Sequence, residues 1–293
     1  FNADEIMAKT KLEVFDLLKK SMRPEFLNRI DEIIMFSPLN RNEIKNIVRI
    51  QFNSIANMLA KNDIKIEITD VIYRINRNEP IQYITNRAWF RNNFFELNSS
   101  VLIPRPETEM IVDYIIQQKL NEGSRVLDVG TGSGCISISI KLEAPQAMVF
   151  ALDVSNIALE VAIRNANRLN ADVEFIQDDF LNSEVSLEPL DYIVSNPPYI
   201  MEKERSIMHE NVLGYEPALA LFVSDNEPLI FYSALATQGK KWLKPFGKIV
   251  AEINPLLVKQ TVELFELHGY DSVSYFPDLE GKPRMIVASL EKC

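Results

Sequence analysis

The run Val126-Leu127-Asp128-Val129-Gly130-Thr131-Gly132-Ser133-Gly134 restricts the possible folds more than any other stretch of the chain. A short apolar strand passes directly into a turn with glycine at every second position and then into a helical period, the opening of a nucleotide-binding β-α-β unit. Glycines there remove the Cβ atoms that would keep a ligand from the backbone, and the turn is expected to bring its N–H groups close to one. The same alternation continues downstream. Arg125 to Val129, Val149 to Leu152, Val173 to Ile176, Tyr192 to Val194 and Lys248 to Glu252 are strand candidates, most of them separated by helical periods. Ser272 to Phe276 and Met285 to Leu290 flank the turn-rich stretch Asp278 to Pro283 and read as an antiparallel hairpin. The expected fold is therefore α/β, a doubly wound, mostly parallel sheet closed by a C-terminal antiparallel hairpin.

Composition narrows what such a sheet can serve. The 293 residues are 47% apolar and 25% charged, without the roughly 18 uninterrupted apolar residues of a membrane span or the regions of a signal peptide, so a cytoplasmic protein without membrane contact is expected. The net charge of −10 argues against a sequence-independent grip on nucleic acid, which needs clustered Lys and Arg. Two cysteines, Cys135 and Cys293, and two histidines, His209 and His268, have no spacing that suggests a metal site or a catalytic triad.

The charge is unevenly placed. Residues 1–70 carry 11 basic and 11 acidic residues, so the whole acidic excess lies beyond them and a domain boundary is expected near residue 70. Apolar positions Ile6, Val14, Leu17 and Leu18 suggest a helix, Ile33 to Phe36 a buried strand, Ile44 to Leu59 a long amphipathic helix, and Ile64 to Ile68 a half-buried strand. Residues 71–100 read as a linker and hairpin, and 101–293 as the main domain.

Two acids in register with the glycine turn point to a nucleoside ligand. Asp153 ends the second strand candidate, 23 residues after Gly130, close to the offset of about 20 at which an acid reaches ribose hydroxyls. Asp179-Phe180 follows the third strand, where a carboxylate can meet an adenine amine and a ring can cover the adenine face. The glycines fall at 130, 132 and 134, not in the G-x-G-x-x-G spacing of a dinucleotide site, and no P-loop lysine follows.

Asp191-Tyr192-Ile193-Val194-Ser195-Asn196-Pro197-Pro198-Tyr199 is the most specific signal. Two prolines after a buried strand remove two N–H donors and stiffen the backbone, so the Asn196 side-chain oxygen and the Pro197 carbonyl can both face one planar NH2 group. Accepting both protons holds a poorly nucleophilic amide or amine in line with a sulfonium methyl, and Tyr199 is expected to wall the acceptor plane. The cofactor so implied is S-adenosylmethionine, held by Gly130, Thr131, Gly132, Ser133, Gly134, Asp153, Asp179, Phe180 and Asn196; Asn196, Pro197, Pro198 and Tyr199 form the catalytic loop.

From about Val71 onward the chain resembles the HemK/PrmC glutamine methyltransferases that modify peptide chain release factors. Besides the two motifs, the likeness rests on Glu79-Pro80-Ile81-Gln82-Tyr83-Ile84, Ile103-Pro104-Arg105-Pro106-Glu107-Thr108-Glu109 and Tyr215-Glu216-Pro217-Ala218-Leu219-Ala220-Leu221. It implies an S-adenosylmethionine-dependent methyltransferase fold, an N-methyltransferase acting on the glutamine of a release factor's Gly-Gly-Gln tip in translation termination, and a release factor as protein partner. Arg105, Glu107 and Glu109 are either a salt-bridged loop or substrate contacts. Asn86 and Asn254 stand where the family commonly has glycine. Arg23-Pro24-Glu25-Phe26-Leu27-Asn28-Arg29-Ile30-Asp31-Glu32 resembles the C-terminal part of a ClpB-type AAA+ disaggregase, a likeness running from about Leu12 to Asp70. It occupies the place of the family's helical N-terminal domain. The absence of a G-x-x-x-x-G-K-[ST] loop implies a fragment without ATPase activity, a chimera, and no ClpB-type partner. The alternatives are a DNA adenine amine methyltransferase, which would flip its base into the same pocket but needs a basic recognition segment, and a catalytically silent fusion.

Overall fold

The computed structural model describes residues 45–51, 53–54 and 68–291. The chain forms two compact units, Phe1–Ile68 and Thr69–Cys293. In the first, the described residues 45–51, 53 and 54 are helical, inside the period expected from Ile44 to Leu59. The other elements expected there, and the ClpB-like run Arg23 to Glu32, lie outside the described residues. Ile68, expected to end a strand, instead opens helix α1 (Ile68–Asn76).

The second unit continues with the single turn α2 (Ile81–Ile84) and the hairpin β1 (Arg87–Phe90) and β2 (Asn93–Glu96). Arg91 and Asn92 both have positive φ, 40° and 56°, which matches the twist of a two-residue hairpin turn. Asn86, just before β1, has φ 52°. This left-handed position accounts for the glycine usual in the family, and asparagine is among the few other residues that tolerate it.

The main sheet follows: α3 (Glu109–Gln117), β3 (Arg125–Val129), α4 (Cys135–Glu143), β4 (Met148–Asp153), α5 (Asn156–Leu169), β5 (Glu174–Gln177) and β6 (Leu190–Ser195). Then come β7 (Ile200–Met201), α6 (Glu210–Tyr215), β8 (Phe222–Val223), α7 (Ile230–Trp242), β9 (Leu243–Glu252), α8 (Val258–Leu267), β10 (Ser272–Pro277) and β11 (Pro283–Ser289). The seven-stranded order is β10-β11-β9-β6-β3-β4-β5, with β7 and β8 forming a separate pair. Strands β9, β6, β3, β4 and β5 are parallel, and β11 runs antiparallel to β9 and β10. This is the doubly wound sheet with a C-terminal antiparallel hairpin that the sequence predicts.

Side-chain alternation builds a core on each face. Val126, Val194 and Val250 join Ile111, Ile115 and Ile138 on one face. Leu127, Ile193 and Ile249 join Tyr232 and Leu235 on the other. Because both faces are covered, β3, β6 and β9 read as apolar runs. Helix α5 starts where Ser155 accepts from the Ala158 N–H and ends at Asn170, left-handed at φ 55°. These caps place the chain segments on either side of the site.

Candidate active site

Four parallel strands deliver their C-terminal ends to one cavity, the position where open α/β sheets bind ligands. The Gly130 turn leaves β3, Asp153 ends β4, Asp178-Asp179-Phe180 follow β5, and Asn196-Pro197-Pro198 follow β6; all of them line it. β3 and β6 are direct neighbours with Val129 opposite Ser195, and the Ser195 hydroxyl donates to the Val129 carbonyl at 2.8 Å. The glycine turn and the proline loop therefore share one side of the sheet. The cavity has a volume of about 360 Å³.

The turn behaves differently from the donor cradle expected of it. Gly130 and Thr131 give their N–H groups to the Leu152 carbonyl, at 2.8 and 3.0 Å, and Gly132 gives its own to Asp153 Oδ2 at 2.9 Å. The loop is thus pinned to the end of β4, and what its glycines provide is room. Gly130 and Gly132 have φ 71° and 56°, and a Cβ on either would meet no atom within 4 Å. Gly134 (φ 80°) has a second role, because its Cβ would fall 2.7 Å from Ile138 Cδ1 and 3.2 Å from Ala162 Cβ. It lets α4 and α5 approach each other. Beneath the turn, fully buried Asp128 accepts from the Thr131 hydroxyl at 2.7 Å and the Ser137 N–H at 3.2 Å. Burial pushes its carboxyl up to about 6, against those bonds.

The acids differ in what they have left to offer. Asp153 accepts one backbone N–H on each oxygen, from Gly132 and Ser155, and each oxygen keeps a further lone pair. Burial raises its pKa. Asp179 is exposed and spends its carboxylate on the following turn, accepting from the Leu181 N–H at 3.1 Å and Asn182 Nδ2 at 2.7 Å. Its neighbour Asp178, which sequence reasoning passed over, has an enclosed Oδ2 with no partner. Phe180 is buried beside the cavity, its ring 6.0 Å from that of Trp242.

These features suit S-adenosylmethionine, a nucleoside bearing two cationic centres. Three aspartates and no Lys or Arg are among the described residues that line the cavity, the opposite of a phosphate site. Two carboxylate oxygens at or beneath its wall, Asp128 Oδ1 and Asp178 Oδ2, have no protein partner.

In the acceptor loop, half-buried Asn196 donates from Nδ2 to the Thr108 hydroxyl at 3.1 Å. Tyr199, expected to wall the acceptor, is absent from the cavity lining; its ring packs in the core and its hydroxyl donates to Glu252 Oε1 at 2.8 Å. Glu252 draws it inward. Asn254, where the family commonly has glycine, donates to the Tyr199 carbonyl at 3.0 Å and to Glu204 at 2.9 Å, tying down the end of the loop. In the Ile103 to Glu109 run, Arg105 pairs with buried Glu216 at 2.5 Å and Glu109 accepts the Arg91 N–H at 3.0 Å. Arg105 is thus held in a salt bridge, and Glu109 serves a backbone donor of the β1–β2 turn. Thr108, Asp178, Glu252 and Asn254 complete the neighbourhood. Two of them carried a faint signal: Thr108 lies in the family run, and Glu252 is a charge ending an apolar strand.

The fold and the site define an S-adenosylmethionine-dependent methyltransferase. The model of the methyltransferase small domain family matches residues 107–218. A crystallised methyltransferase from Pyrococcus furiosus shares the fold, with TM-score 0.52 and 21% identity over 77% of this chain and all of that one. A release factor glutamine methyltransferase of Bacteroides thetaiotaomicron is 42% identical over 76% of this chain and 80% of its own. Another, of Leptospira interrogans, is 35% identical over 94% of this chain and 97% of its own, an alignment that reaches into the first seventy residues. The chain belongs to the release factor glutamine methyltransferase family.

Proposed function

We propose that this protein transfers the methyl group of S-adenosylmethionine to the side-chain amide nitrogen of glutamine in the Gly-Gly-Gln motif of a peptide chain release factor. The observation that carries the reading is the shared cavity: Asn196, Pro197 and Pro198 line the same space as Gly130, Asp153 and Phe180. When bound, the cofactor supplies an electrophilic methyl on a sulfonium. Asp153 holds the ribose hydroxyls, Phe180 covers the adenine face, and the Asp178-Asp179 pair meets the adenine amine, Asp178 through the oxygen that has no protein partner. Gly130 to Gly134, with Thr131 and Ser133 between them, leave the room in which the nucleoside lies. Asn196 Oδ1 and the Pro197 carbonyl accept hydrogen bonds from the two N–H groups of the glutamine amide, and Pro197 and Pro198 offer no N–H to compete for them; as the methyl–sulfur bond breaks and S-adenosylhomocysteine leaves, the methylated nitrogen gives up one of these protons to solvent. Holding and desolvating that weak nucleophile supplies most of the rate, because no residue from Asn196 to Tyr199 is placed as a general base. Tyr199 serves by anchoring the loop through Glu252.

Residues 101–293 form the catalytic domain in this reading, and 71–100, with α1, α2 and the β1–β2 hairpin, are the part of the family's N-terminal region that precedes it. Residues 1–70 are read as a ClpB-like segment without ATPase motifs joined to the enzyme; the change in charge balance near residue 70 and the unit boundary after Ile68 support a join there. No docking on a ClpB-type partner is assigned to it. The test is the partition of labelled methyl groups when the purified chain is offered a release factor and duplex DNA together. Label on the protein is the expected result. Label on DNA alone would make the enzyme an adenine amine methyltransferase, and label on neither would make the fusion silent.

A further inference from the structure

We infer that Thr108 and Glu252 are positioning residues that fix which end of the Asn196 carboxamide faces the acceptor. This rests on Asn196 being the residue that holds the glutamine amide. A carboxamide is nearly symmetric in shape, so packing alone does not choose between presenting its oxygen and presenting its NH2 group. Only the oxygen can accept a proton from the substrate. Something must set the direction, and the structure holds a chain of bonds that does so.

Glu252, 3% exposed at the end of β9, has two oxygens that only accept while it is ionised. Tyr199 donates to Oε1 at 2.8 Å and Thr108 donates to Oε2 at 2.7 Å. Thr108, 2% exposed, has one hydroxyl proton and has given it to Glu252. It is left with lone pairs, so Asn196 must turn its Nδ2 toward Thr108, as observed at 3.1 Å. The amide oxygen is then directed away from Thr108. Turning Asn196 over would set two acceptor oxygens against each other and forfeit the bond to Thr108. Burial pushes the Glu252 carboxyl above its ordinary range, while the Thr108 and Tyr199 bonds and the charge of Arg284 oppose that and favour the ionised, accept-only form. The relay joins β9, the loop after β6 and the turn before α3. It also gives a physical reason for threonine within the Ile103 to Glu109 run, separate from the Arg105–Glu216 ion pair beside it.

Three variants of the full chain test the relay: Thr108→Val, Thr108→Ser and Glu252→Gln. Turnover on a release factor, affinity for S-adenosylhomocysteine and melting temperature are measured for each. In parallel, the side-chain NH2 resonances of Asn196 are followed in 15N-labelled protein. Valine keeps the shape and removes the hydroxyl; kcat is expected to fall about 10- to 100-fold, the loss typical of a misdirected catalytic group, with cofactor affinity unchanged. Serine restores turnover. In Glu252→Gln the new carboxamide can donate to Thr108 and so send the hydroxyl proton toward Asn196, and this variant is expected to lose at least as much as Thr108→Val. The Asn196 NH2 protons, slow to exchange in the wild type and in Thr108→Ser, become fast in Thr108→Val. Wild-type kcat in Thr108→Val would overturn the relay, as would unchanged NH2 exchange, or a loss that follows melting temperature and is not rescued by serine. A wild type inactive on the release factor would instead overturn the proposed function, and the NH2 exchange would still decide whether Thr108 sets the direction of Asn196.

Discussion

Replacing single glycines of the β3 turn by alanine separates the cofactor role of the turn from its packing role. Gly134 has φ 80°, which costs an L-residue roughly 1–2 kcal/mol. Its new methyl would sit 2.7 Å from Ile138 Cδ1 and 3.2 Å from Ala162 Cβ. Ile138 is fully buried, so its terminal methyl must repack within the core, and Ala162 Cβ is fixed to helix α5. Overpacking of that kind costs about 1–3 kcal/mol more. The sum, about 2–5 kcal/mol, lowers the melting temperature of a domain this size by roughly 5–15 °C. Gly130→Ala meets no neighbour within 4 Å and carries the backbone cost alone, about 1–2 kcal/mol. Its methyl stands in the cavity wall. Calorimetric melting and titration with S-adenosylhomocysteine on both variants distinguish the two roles: Gly134→Ala loses mainly stability, and Gly130→Ala loses mainly affinity, about tenfold or more for a contact worth ~1.4 kcal/mol. A Gly134→Ala variant that melts with the wild type, or a Gly130→Ala variant that binds as tightly as the wild type, would contradict this division of roles.

Three further outcomes follow from the geometry. Asn196→Ala removes an acceptor used at the reacting centre, and kcat is expected to fall about 100- to 1000-fold, far more than S-adenosylhomocysteine affinity; equal loss in both would contradict its role. Asp178 has an enclosed oxygen without a partner and Asp179 already serves two donors, so Asp178→Asn is expected to weaken cofactor binding more than Asp179→Asn, the reverse order showing that Asp179 leaves its turn to meet the ligand. Burial pushes the Cys135 thiol up to about 12, which leaves almost no thiolate at neutral pH; mass mapping after iodoacetamide treatment of the native protein should find Cys135 unmodified, and rapid labelling there would place it in a more open environment.

Much of this architecture was legible in the sequence, because both faces of the sheet are covered and the strands are short apolar runs. Arg125 to Val129 is β3 itself, β4 and β6 extend the expected strands by one or two residues at each end, and β5 and β11 are shifted by one or two, because pairing and not hydrophobicity decides where a strand ends. β9 begins at Leu243, five residues before the expected start, because the strand runs on through Pro245 and Gly247 with a shift in register. The meeting of the glycine turn with the proline loop was legible too, once β3 and β6 were placed in one parallel sheet. What was hidden are contacts between residues far apart in the chain and choices between adjacent ones. Thr108 and Glu252 bond across 144 positions, and no local pattern announces such a pair. Tyr199 turned inward because a buried carboxylate needed its proton. Asp178 and Asp179 differ by one residue, and only the cap of the short turn after β5 decides which keeps a free oxygen.

In the proposed reaction the cavity beside Asn196 holds a glutamine amide against the methyl donor. The most direct measurement is tandem mass spectrometry of a release factor incubated with this protein and S-adenosylmethionine. One methyl group is expected on the side-chain nitrogen of the Gly-Gly-Gln glutamine, present with the wild type and nearly lost with Asn196→Ala. A methyl group on any other residue, or an unchanged yield with that variant, would contradict the proposed reaction.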